Sequence, residues 1–369
     1  MNKRMILYIQ GAILLIESAI MVLPIAAALI YREPAGVWFF YTALAAAICG
    51  FAAMKLSKPR TKTIYAKEGL ITVALGWIVL SLVGALPFTL SGEIPFYLDA
   101  VFEMISGFTT TGSSILPNVE ALSRCMLLWR SFSHWLGGMG ILVFMLAIVR
   151  MEGGQGIHLL RAESPGPTVG KMVPRMVDSS KILYTIYFAL TLVQVVFYLA
   201  GGMPLFDSLC NAFATAGTGG FSIKADSFAS YSPYLQAVTT VFMALFGVNF
   251  SIYFFLLQKK FDLAFKNTEL RWYVGIILFS IAMITANILP MYPDFHTAIH
   301  HAAFSVSSVI TTTGFGTENF DLWPEFSRVI LVFLMIVGAS AGSTGGGLKV
   351  SRLVILVRAA QVEVRRLIR

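Results

Sequence analysis

Residues 108–114 read FTTTGSS, a polar stretch inside a strongly apolar sequence. Two related segments follow it in the chain: Thr218-Gly219-Gly220-Phe221 and Thr312-Thr313-Gly314-Phe315. Unsatisfied backbone groups cost several kcal/mol each at membrane depth, so the carbonyl oxygens of such segments need a binding partner. Carbonyl oxygens can replace the water shell of a cation. The three Thr-Gly segments therefore predict a backbone that binds cations.

The composition places these segments in a membrane protein. Of the 369 residues, 57% are hydrophobic and only 12% are charged, which exceeds the apolar content of an ordinary globular domain. The formal net charge is +8, but the basic residues cluster between apolar runs, which argues against a nucleic-acid partner. The three cysteines have neither metal-ligand nor disulfide-framework spacing. We predict an all-α polytopic membrane protein whose spans contact membrane lipid.

Eight apolar runs have about the 20 residues that a helix needs to cross a bilayer. They are residues 5–30, 37–54, 69–89, 122–149, 182–199, 235–257, 272–289 and 326–357. Basic clusters lie at residues 55–67, 150–181 and 259–271 and in the tail, and the positive-inside rule assigns them to the cytoplasm. All three Thr-Gly segments are then predicted on the outer side.

The Thr-Gly segments recur at a regular spacing. Thr111 and Thr218 are 107 residues apart, and Thr218 and Thr313 are 95 residues apart. A spacing of about one hundred residues indicates an internal repeat. We predict an N-terminal transmembrane hairpin at residues 1–65 and span, pore helix, span repeats at residues 66–155, 156–265 and 266–369. Because all three turns are predicted on the same side of the membrane, the repeats run parallel, unlike the inverted repeats of many transporters. Parallel repeats around a shared axis predict a pore.

A short apolar segment precedes each turn, at residues 100–108, 208–216 and 302–310. Segments of about ten residues are too short to span a bilayer and fit re-entrant half-helices. The partly negative C-terminal end of such a helix favours a cation. Glycine allows the unusual dihedrals that turn carbonyls inward, and threonine hydroxyls add ligands or lock the turn. The candidate filter residues are Thr110, Thr111, Gly112, Ser113, Thr218, Gly219, Gly220, Thr312, Thr313, Gly314 and Phe315.

Residues 338–349 read GASAGSTGGGLK inside the eighth apolar run. Backbone that is not helical at membrane depth is tolerated only where it lines a cavity or is buried in protein. We predict a gating loop that contains Gly338, Ser340, Gly342, Ser343, Thr344, Gly345, Gly346 and Gly347. A phosphate loop is excluded, because that motif requires Gly-Lys followed by Ser or Thr. Close helix packing through small residues is the alternative.

The predicted outer loops are rich in carboxylates, among them Glu33, Glu93, Glu120 and Asp294. An acidic vestibule concentrates cations before they reach a filter. The alternative for any one carboxylate is an ordinary polar loop residue.

Other polar residues in the apolar runs favour structural roles. Arg130 and His134 open the fourth run beside several glycines, which indicates helix packing. Glu17 lies at mid-depth of the first run, where a pairing with a neighbouring helix is favoured over a proton path. His296, His300 and His301 are interpreted as residues of the third half-helix or its mouth, because nothing nearby completes a metal set. Neither a nucleophile elbow nor a His-Glu-x-x-His motif occurs, so no enzyme is predicted.

Several stretches closely resemble Trk-type bacterial potassium uptake proteins: residues 66–88, 108–114, 129–141, 161–167 and 338–352, and both later Thr-Gly segments. The resemblance implies a potassium-transporting subunit of the bacterial plasma (inner) membrane, with four repeats around a pseudo-fourfold pore. Potassium would bind at Thr111, Gly112, Thr218, Gly219, Thr313 and Gly314. In that family, glycine at the filter positions goes with potassium preference, and serine in the first goes with sodium in plant relatives.

The resemblance also implies partners. The expected assembly is a homodimer in which each subunit has its own pore, gated by a cytosolic nucleotide-binding Trk regulatory subunit. Nucleotide is expected only on that partner, and no covalently bound cofactor is expected.

The sequence departs from the family pattern in one respect, because it holds three of the four expected repeats. We therefore expect a truncated product that does not conduct selectively alone, and a non-conducting assembly fragment stays open as an alternative. The other alternative is a proton- or sodium-coupled potassium symporter in which Glu17 takes part.

Overall fold

The computed structural model describes residues 2–59, 66–140 and 176–368. These residues form helices, turns and loops, and no strand occurs among them. Five segments within these ranges are long and apolar enough to cross a membrane: Lys3–Tyr31, Gly36–Leu56, Lys67–Ser91, Lys181–Ala200 and Thr268–Met291. The predicted class, an all-α polytopic membrane protein, is confirmed.

The helices are α1 (Lys3–Ile20), α2 (Val22–Tyr31), α3 (Gly36–Leu56), α4 (Ala66–Ser91), α5 (Tyr97–Phe108), α6 (Arg124–Gly138), α7 (Met176–Ala200), α8 (Leu205–Ala216), α9 (Pro233–Phe246), α10 (Phe250–Leu257), α11 (Phe261–Phe265), α12 (Thr268–Ile288), α13 (Phe295–Ile310), α14 (Glu325–Val337) and α15 (Val350–Ile368). Short 3-10 turns lie at Val119–Ala121, Leu289–Met291 and Phe320–Leu322.

The chain divides into two compact units. The first unit contains Met1–Tyr184, Leu209–Ala214 and Phe221–Ala225. The second contains Thr185–Ser208, Thr215–Gly220 and Asp226–Arg369. The division of the sequence into a hairpin and three repeats stays a prediction.

The first unit begins with a helical hairpin in which α1 and α2 pack against α3. Two glycines form the closest approach, because a Cβ atom built on Gly11 would lie 2.7 Å from the carbonyl oxygen of Gly50, and the reverse distance is also 2.7 Å. Small residues at such a crossing let two backbones touch, as is common between helices in membranes. The hairpin is thus held by backbone contact.

The same unit continues with the long helix α4 and the shorter helices α5 and α6. The indole Nε1 of Trp129 in α6 donates to the carbonyl oxygen of Gly84 in α4, at 3.0 Å. A Cβ on Gly137 in α6 would lie 2.2 Å from the carbonyl oxygen of Phe108, the last residue of α5. The predicted packing role of this glycine is confirmed. Part of the fourth predicted span, residues 141–149, lies outside the described residues.

The second unit contains a break that the sequence did not indicate. The apolar run 235–257 predicts one span, and within it α9 and α10 meet at 91°. The Asn249 side chain caps α10 by accepting the Ser251 N–H at 2.9 Å. The freed backbone groups bind the glycine-rich loop: Ser340 N–H donates to Gly247 at 3.1 Å, and Phe250 N–H donates to Gly342 at 3.0 Å. The sequence did not indicate this break because the partners that stabilise it lie about ninety residues later in the chain.

The last apolar run is divided as its glycines predicted. Helix α14 ends at Val337, the next residue Gly338 has φ +70°, and helix begins again at Val350. The apolar core of this unit includes Ile284, Ala302, Ile310 and Leu334 from α12, α13 and α14. This packing fixes the C-terminal end of α13, after which the third Thr-Gly segment follows.

Candidate ion filter and gating loop

The three short helices end where the sequence predicted. Helix α5 ends at Phe108, α8 at Ala216 and α13 at Ile310, while their first residues lie three to seven positions earlier than expected. They have 12, 12 and 16 residues, too few for the ~20 that a bilayer crossing requires. A Thr-Gly segment follows each C-terminal end directly.

The backbone takes the same unusual conformation after each helix. Thr110, Thr218 and Thr312 have φ of 54°, 52° and 58°. Each amide N–H donates to the carbonyl oxygen three residues earlier, at 3.1, 3.0 and 3.0 Å. A β-branched residue at positive φ is an outlier that costs about 1–3 kcal/mol and persists only where the surroundings enforce it. Three such threonines at equivalent positions indicate a repeated functional turn.

A glycine with positive φ follows two residues after each threonine. These glycines are Gly112, Gly220 and Gly314, with φ of 78°, 77° and 88°. The backbone therefore aligns Gly220 with the other two, one residue later than the sequence-based choice of Gly219. The two adjacent glycines left this register ambiguous in the sequence, and the dihedral angles resolve it.

Threonine side chains lock the first and third turns. The hydroxyls of Thr109 and Thr111 are 2.8 Å apart, and those of Thr311 and Thr313 are 2.7 Å apart. Thr109 also donates to the Ile105 carbonyl at 2.7 Å, and Thr311 donates to the Ser307 carbonyl at 2.6 Å. These hydroxyls therefore stabilise the turn. The second turn has glycine at both equivalent positions.

Within the second unit, the second and third turns touch. A Cβ built on Gly220 would lie only 1.9 Å from the carbonyl oxygen of Thr313. Farther along, Phe228 N–H donates to the Gly316 carbonyl at 2.9 Å, and Gly316 N–H donates to the Ser227 hydroxyl at 3.1 Å. The two turns are neighbours, and glycine is required at Gly220 for both conformation and space.

The glycine-rich loop lies against the third turn. The Gly346 N–H donates to the hydroxyl of Thr312 at 2.7 Å. A Cβ on Gly345 would lie 2.8 Å from the carbonyl oxygen of Thr311. The loop thus contacts the C-terminal end of α13 and Thr312, the threonine with positive φ.

Residues distant in sequence anchor the loop. Glu269, in the first turn of α12, accepts the Ala341 N–H at 2.6 Å. The buried Lys349 donates from Nζ to the Gly345 carbonyl. The hydroxyl of Thr344 donates to the Phe246 carbonyl at 3.3 Å, at the end of α9. Sequence analysis missed Glu269, because no local signal connects α12 to a loop some seventy residues away.

The outer-loop carboxylates bind backbone amides. Glu33 accepts Arg124 N–H at 2.8 Å, and Glu93 accepts Ser123 N–H at 2.8 Å. Asp294 caps α13 by accepting Thr297 N–H at 2.6 Å, and hydrogen bonds from Thr297 hold the pKa of Asp294 below its ordinary value. Such carboxylates fix the loops, and their charge still adds to the negative potential there.

Two of the three histidines of α13, His300 and His301, have polar partners. His300 Nε2 lies 2.6 Å from the Gln236 side-chain oxygen, and His301 Nδ1 lies 3.0 Å from the Thr317 hydroxyl. Among residues 2–59, 66–140 and 176–368, no three His, Cys, Asp or Glu side chains are grouped to hold a metal ion. Their position on the third half-helix agrees with the prediction.

Glu17 is fully buried in the first unit beside Gly84 of α4. Neither of its carboxylate oxygens has a hydrogen-bond partner in the described part of the chain. The expected pairing with a neighbouring helix is therefore not found there.

Comparison with known proteins assigns the chain to a family. The family of TrkH cation transport proteins matches residues 38–369. This chain is a member of the TrkH family. The Trk system potassium uptake protein TrkH of Salmonella typhimurium is 36% identical over 374 residues, covering 100% of this chain and 77% of that protein.

A second relative and a solved structure support the same family assignment. The Trk system potassium uptake protein TrkG of Escherichia coli is 31% identical over 372 residues, which cover 99% of this chain and 76% of that protein. The crystal structure of the potassium transporter TrkH from Vibrio parahaemolyticus matches with a TM-score of 0.87 and 32% identity. That match covers 100% of this chain and 77% of the other. The TrkH family consists of multi-pass membrane transporters and not of enzymes. The predicted multi-pass membrane location and the prediction that the chain is not an enzyme are therefore confirmed.

Proposed function

We propose that this chain takes up potassium across the bacterial inner membrane through a filter built from its Thr-Gly turns. Its relatives are Trk system potassium uptake proteins, which supports both the ion and the direction of transport. The observation that carries the filter is the threefold repetition of one strained turn at the C-terminal end of a short helix. Such an end has a partial negative charge that favours a cation.

In this proposal, backbone carbonyl oxygens replace the water around potassium. The contributing residues are Thr110 to Ser113, Thr218 to Gly220 and Thr312 to Phe315. The ion sites proposed from sequence are Thr111, Gly112, Thr218, Gly219, Thr313 and Gly314, and the backbone register adds Gly220 to them.

The loop at residues 338–347 is proposed as the gate. Its support is direct contact with the third turn, through Gly346 and Thr312, together with polar anchors at Glu269 and Gly247. A loop held by a few hydrogen bonds can change conformation without unpacking a helix. The gate is proposed to be closed when these contacts are made.

The proposed assembly is a homodimer that binds a cytosolic nucleotide-binding regulatory subunit. The sequence resemblance supports both partners. Helix α15 offers one surface for the regulatory subunit, since Arg358, Arg365 and Arg366 are exposed on it. Nucleotide is proposed to bind only to the regulatory subunit.

Gly112→Ser tests the filter in proteoliposomes that contain the purified protein, once selective potassium flux through the unsubstituted protein has excluded the alternative of a non-conducting assembly fragment. Gly112 has φ +78°, where a side chain adds roughly 1–2 kcal/mol of strain. We expect the potassium-to-sodium permeability ratio, obtained from reversal potentials, to fall by about tenfold. Gly92→Ser is the matched control, because Gly92 has φ +81° with nothing within 4 Å of its Cβ position and lies outside the turns. An unchanged ratio for Gly112→Ser would reject the filter role.

A coupled symporter is the second candidate, and buried Glu17 is the observation that favours it. If the protein is a channel, potassium flux continues without proton and sodium gradients. We expect Glu17→Gln, which keeps the side-chain shape, to leave that flux within about twofold of the unsubstituted protein. Flux that stops when the gradients are removed, together with loss of proton dependence in Glu17→Gln, would instead establish coupling.

A further inference from the structure

A buried ion pair lies beside the first Thr-Gly turn. Glu103 of α5 and Arg130 of α6 are 0% and 1% exposed, and Arg130 Nε donates to Glu103 Oε1 at 2.6 Å. Removing two charges from water is expensive, and an apolar pair of similar size is often as stable or more so. The stability of the fold alone therefore does not explain the pair.

Glu103 binds the chain that leaves the first turn. Its Oε2 accepts the Ile115 N–H at 3.1 Å. The Ser114 hydroxyl donates to the same carboxylate, at 3.0 Å from Oε1 and 3.2 Å from Oε2. These residues follow directly after Gly112 and Ser113. A carboxylate is needed here, because it accepts from the backbone, the hydroxyl and Arg130 at once.

Arg130 binds the chain that leaves the second turn. Its NH1 donates to the Ser222 carbonyl at 3.3 Å, and its guanidinium carbon lies 3.9 Å from the centre of the Phe221 ring. His134 stacks on the same ring at 4.1 Å. Phe221 and Ser222 belong to the first unit and follow directly after Gly220. Within the first unit, a single ion pair thus contacts the residues that directly follow the first turn and those that directly follow the second, which we call the outer ends of the turns.

We propose that Glu103 and Arg130 are positioning residues that hold the outer ends of the first and second Thr-Gly turns and thereby set the preference for potassium over sodium. This inference rests on the proposed filter function. Selectivity from backbone carbonyls depends on where those oxygens are held. The ion pair fixes them through Ile115 and Ser222 without touching the ion.

The test measures the potassium-to-sodium permeability ratio in proteoliposomes for Glu103→Gln and Arg130→Gln. Each change weakens charge-assisted hydrogen bonds, and the expected result is a fall of about tenfold, which corresponds to about 1.4 kcal/mol. Glu93→Gln is the matched control, because Glu93 also accepts a backbone N–H and a serine hydroxyl, both from Ser123, away from the turns. Its ratio should not change.

The double variant Glu103→Arg with Arg130→Glu separates positioning from simple charge pairing. It restores opposite charges but removes the acceptor for the Ile115 N–H. We expect the amount of folded protein to recover while the ratio stays low. A ratio that recovers with the swapped charges would overturn the proposal.

Two further variants cover the remaining outcomes. Ser114→Ala removes only the hydroxyl hydrogen bonds, so it should lower the ratio by a smaller factor than Glu103→Gln. If Glu103→Gln does not fold, an unchanged ratio in Ser114→Ala counts against the proposal. Gly220→Ala alters the turn itself. A changed ratio in Gly220→Ala with an unchanged ratio in folded Glu103→Gln rejects the positioning role alone. Unchanged ratios in both reject the filter as well.

Discussion

Gly220→Ala is expected to lower potassium uptake by about tenfold or more, because the new methyl group meets backbone on the neighbouring turn. Its Cβ would lie 1.9 Å from the Thr313 carbonyl oxygen, and Gly220 has φ +77°. The left-handed conformation alone adds roughly 1–2 kcal/mol of strain. The steric contact adds to it, since a carbonyl held by the third turn cannot move without shifting that turn. Uptake in a potassium-uptake-deficient bacterium, normalised to membrane protein level, measures the effect.

Two matched variants separate the causes. Gly202→Ala has the same strain, with φ +80°, but nothing lies within 4 Å of its Cβ position and it is outside the turns. It should leave uptake per molecule unchanged. Gly314→Ala combines φ +88° with open space, so it should reduce uptake less than Gly220→Ala. Full uptake in Gly220→Ala at normal protein level would contradict the proposed contact.

Glu269→Ala is expected to raise potassium flux by about tenfold if residues 338–347 are the gate as proposed, because it removes one of the hydrogen bonds that anchor this loop. The Glu269 carboxylate accepts the Ala341 N–H at 2.6 Å. A hydrogen bond to a charged group contributes about 1.5–3 kcal/mol. Losing it shifts the loop toward conformations that leave the third turn uncovered. Flux through purified protein in liposomes, without the regulatory subunit, measures this directly.

Asp262→Ala is the control for this experiment. Asp262 is a carboxylate on the neighbouring helix α11, its side chain is 89% exposed, and it lies 3.4 Å from Lys266. Exposed ion pairs contribute little, so flux should not change. Lower flux in Glu269→Ala, with the protein still folded, would mean that Glu269 supports conduction and does not hold the gate closed.

The sequence predicted the parts of the site that have a local signal. The ends of the half-helices at Phe108, Ala216 and Ile310 were correct, because a polar Thr-Gly segment interrupts each apolar run. The choice of Gly219 rather than Gly220 as the equivalent of Gly112 and Gly314 differs by one residue from the backbone alignment, since two adjacent glycines satisfy the same sequence pattern. The dihedral angles of the folded chain separate them.

Other features depend on contacts between distant residues. The break between α9 and α10 lies in a uniformly apolar run and is completed by Ser340 and Gly342. Glu269 reaches the loop across 72 residues. The sequence does contain a signal for Glu103, because a carboxylate inside an apolar half-helix requires a partner. The glycines near Arg130 favour a packing role in the sequence, whereas the structure pairs this residue with Glu103.

If potassium binds at the third turn as proposed, the hydrogen bond from Gly346 to Thr312 links ion occupancy and loop position thermodynamically. If potassium in the third turn favours one conformation of Thr312, it changes the free energy of the loop by the same amount that the loop changes the affinity for potassium. The linkage is reciprocal and requires no additional sensor. External potassium would therefore act as an effector of its own pathway.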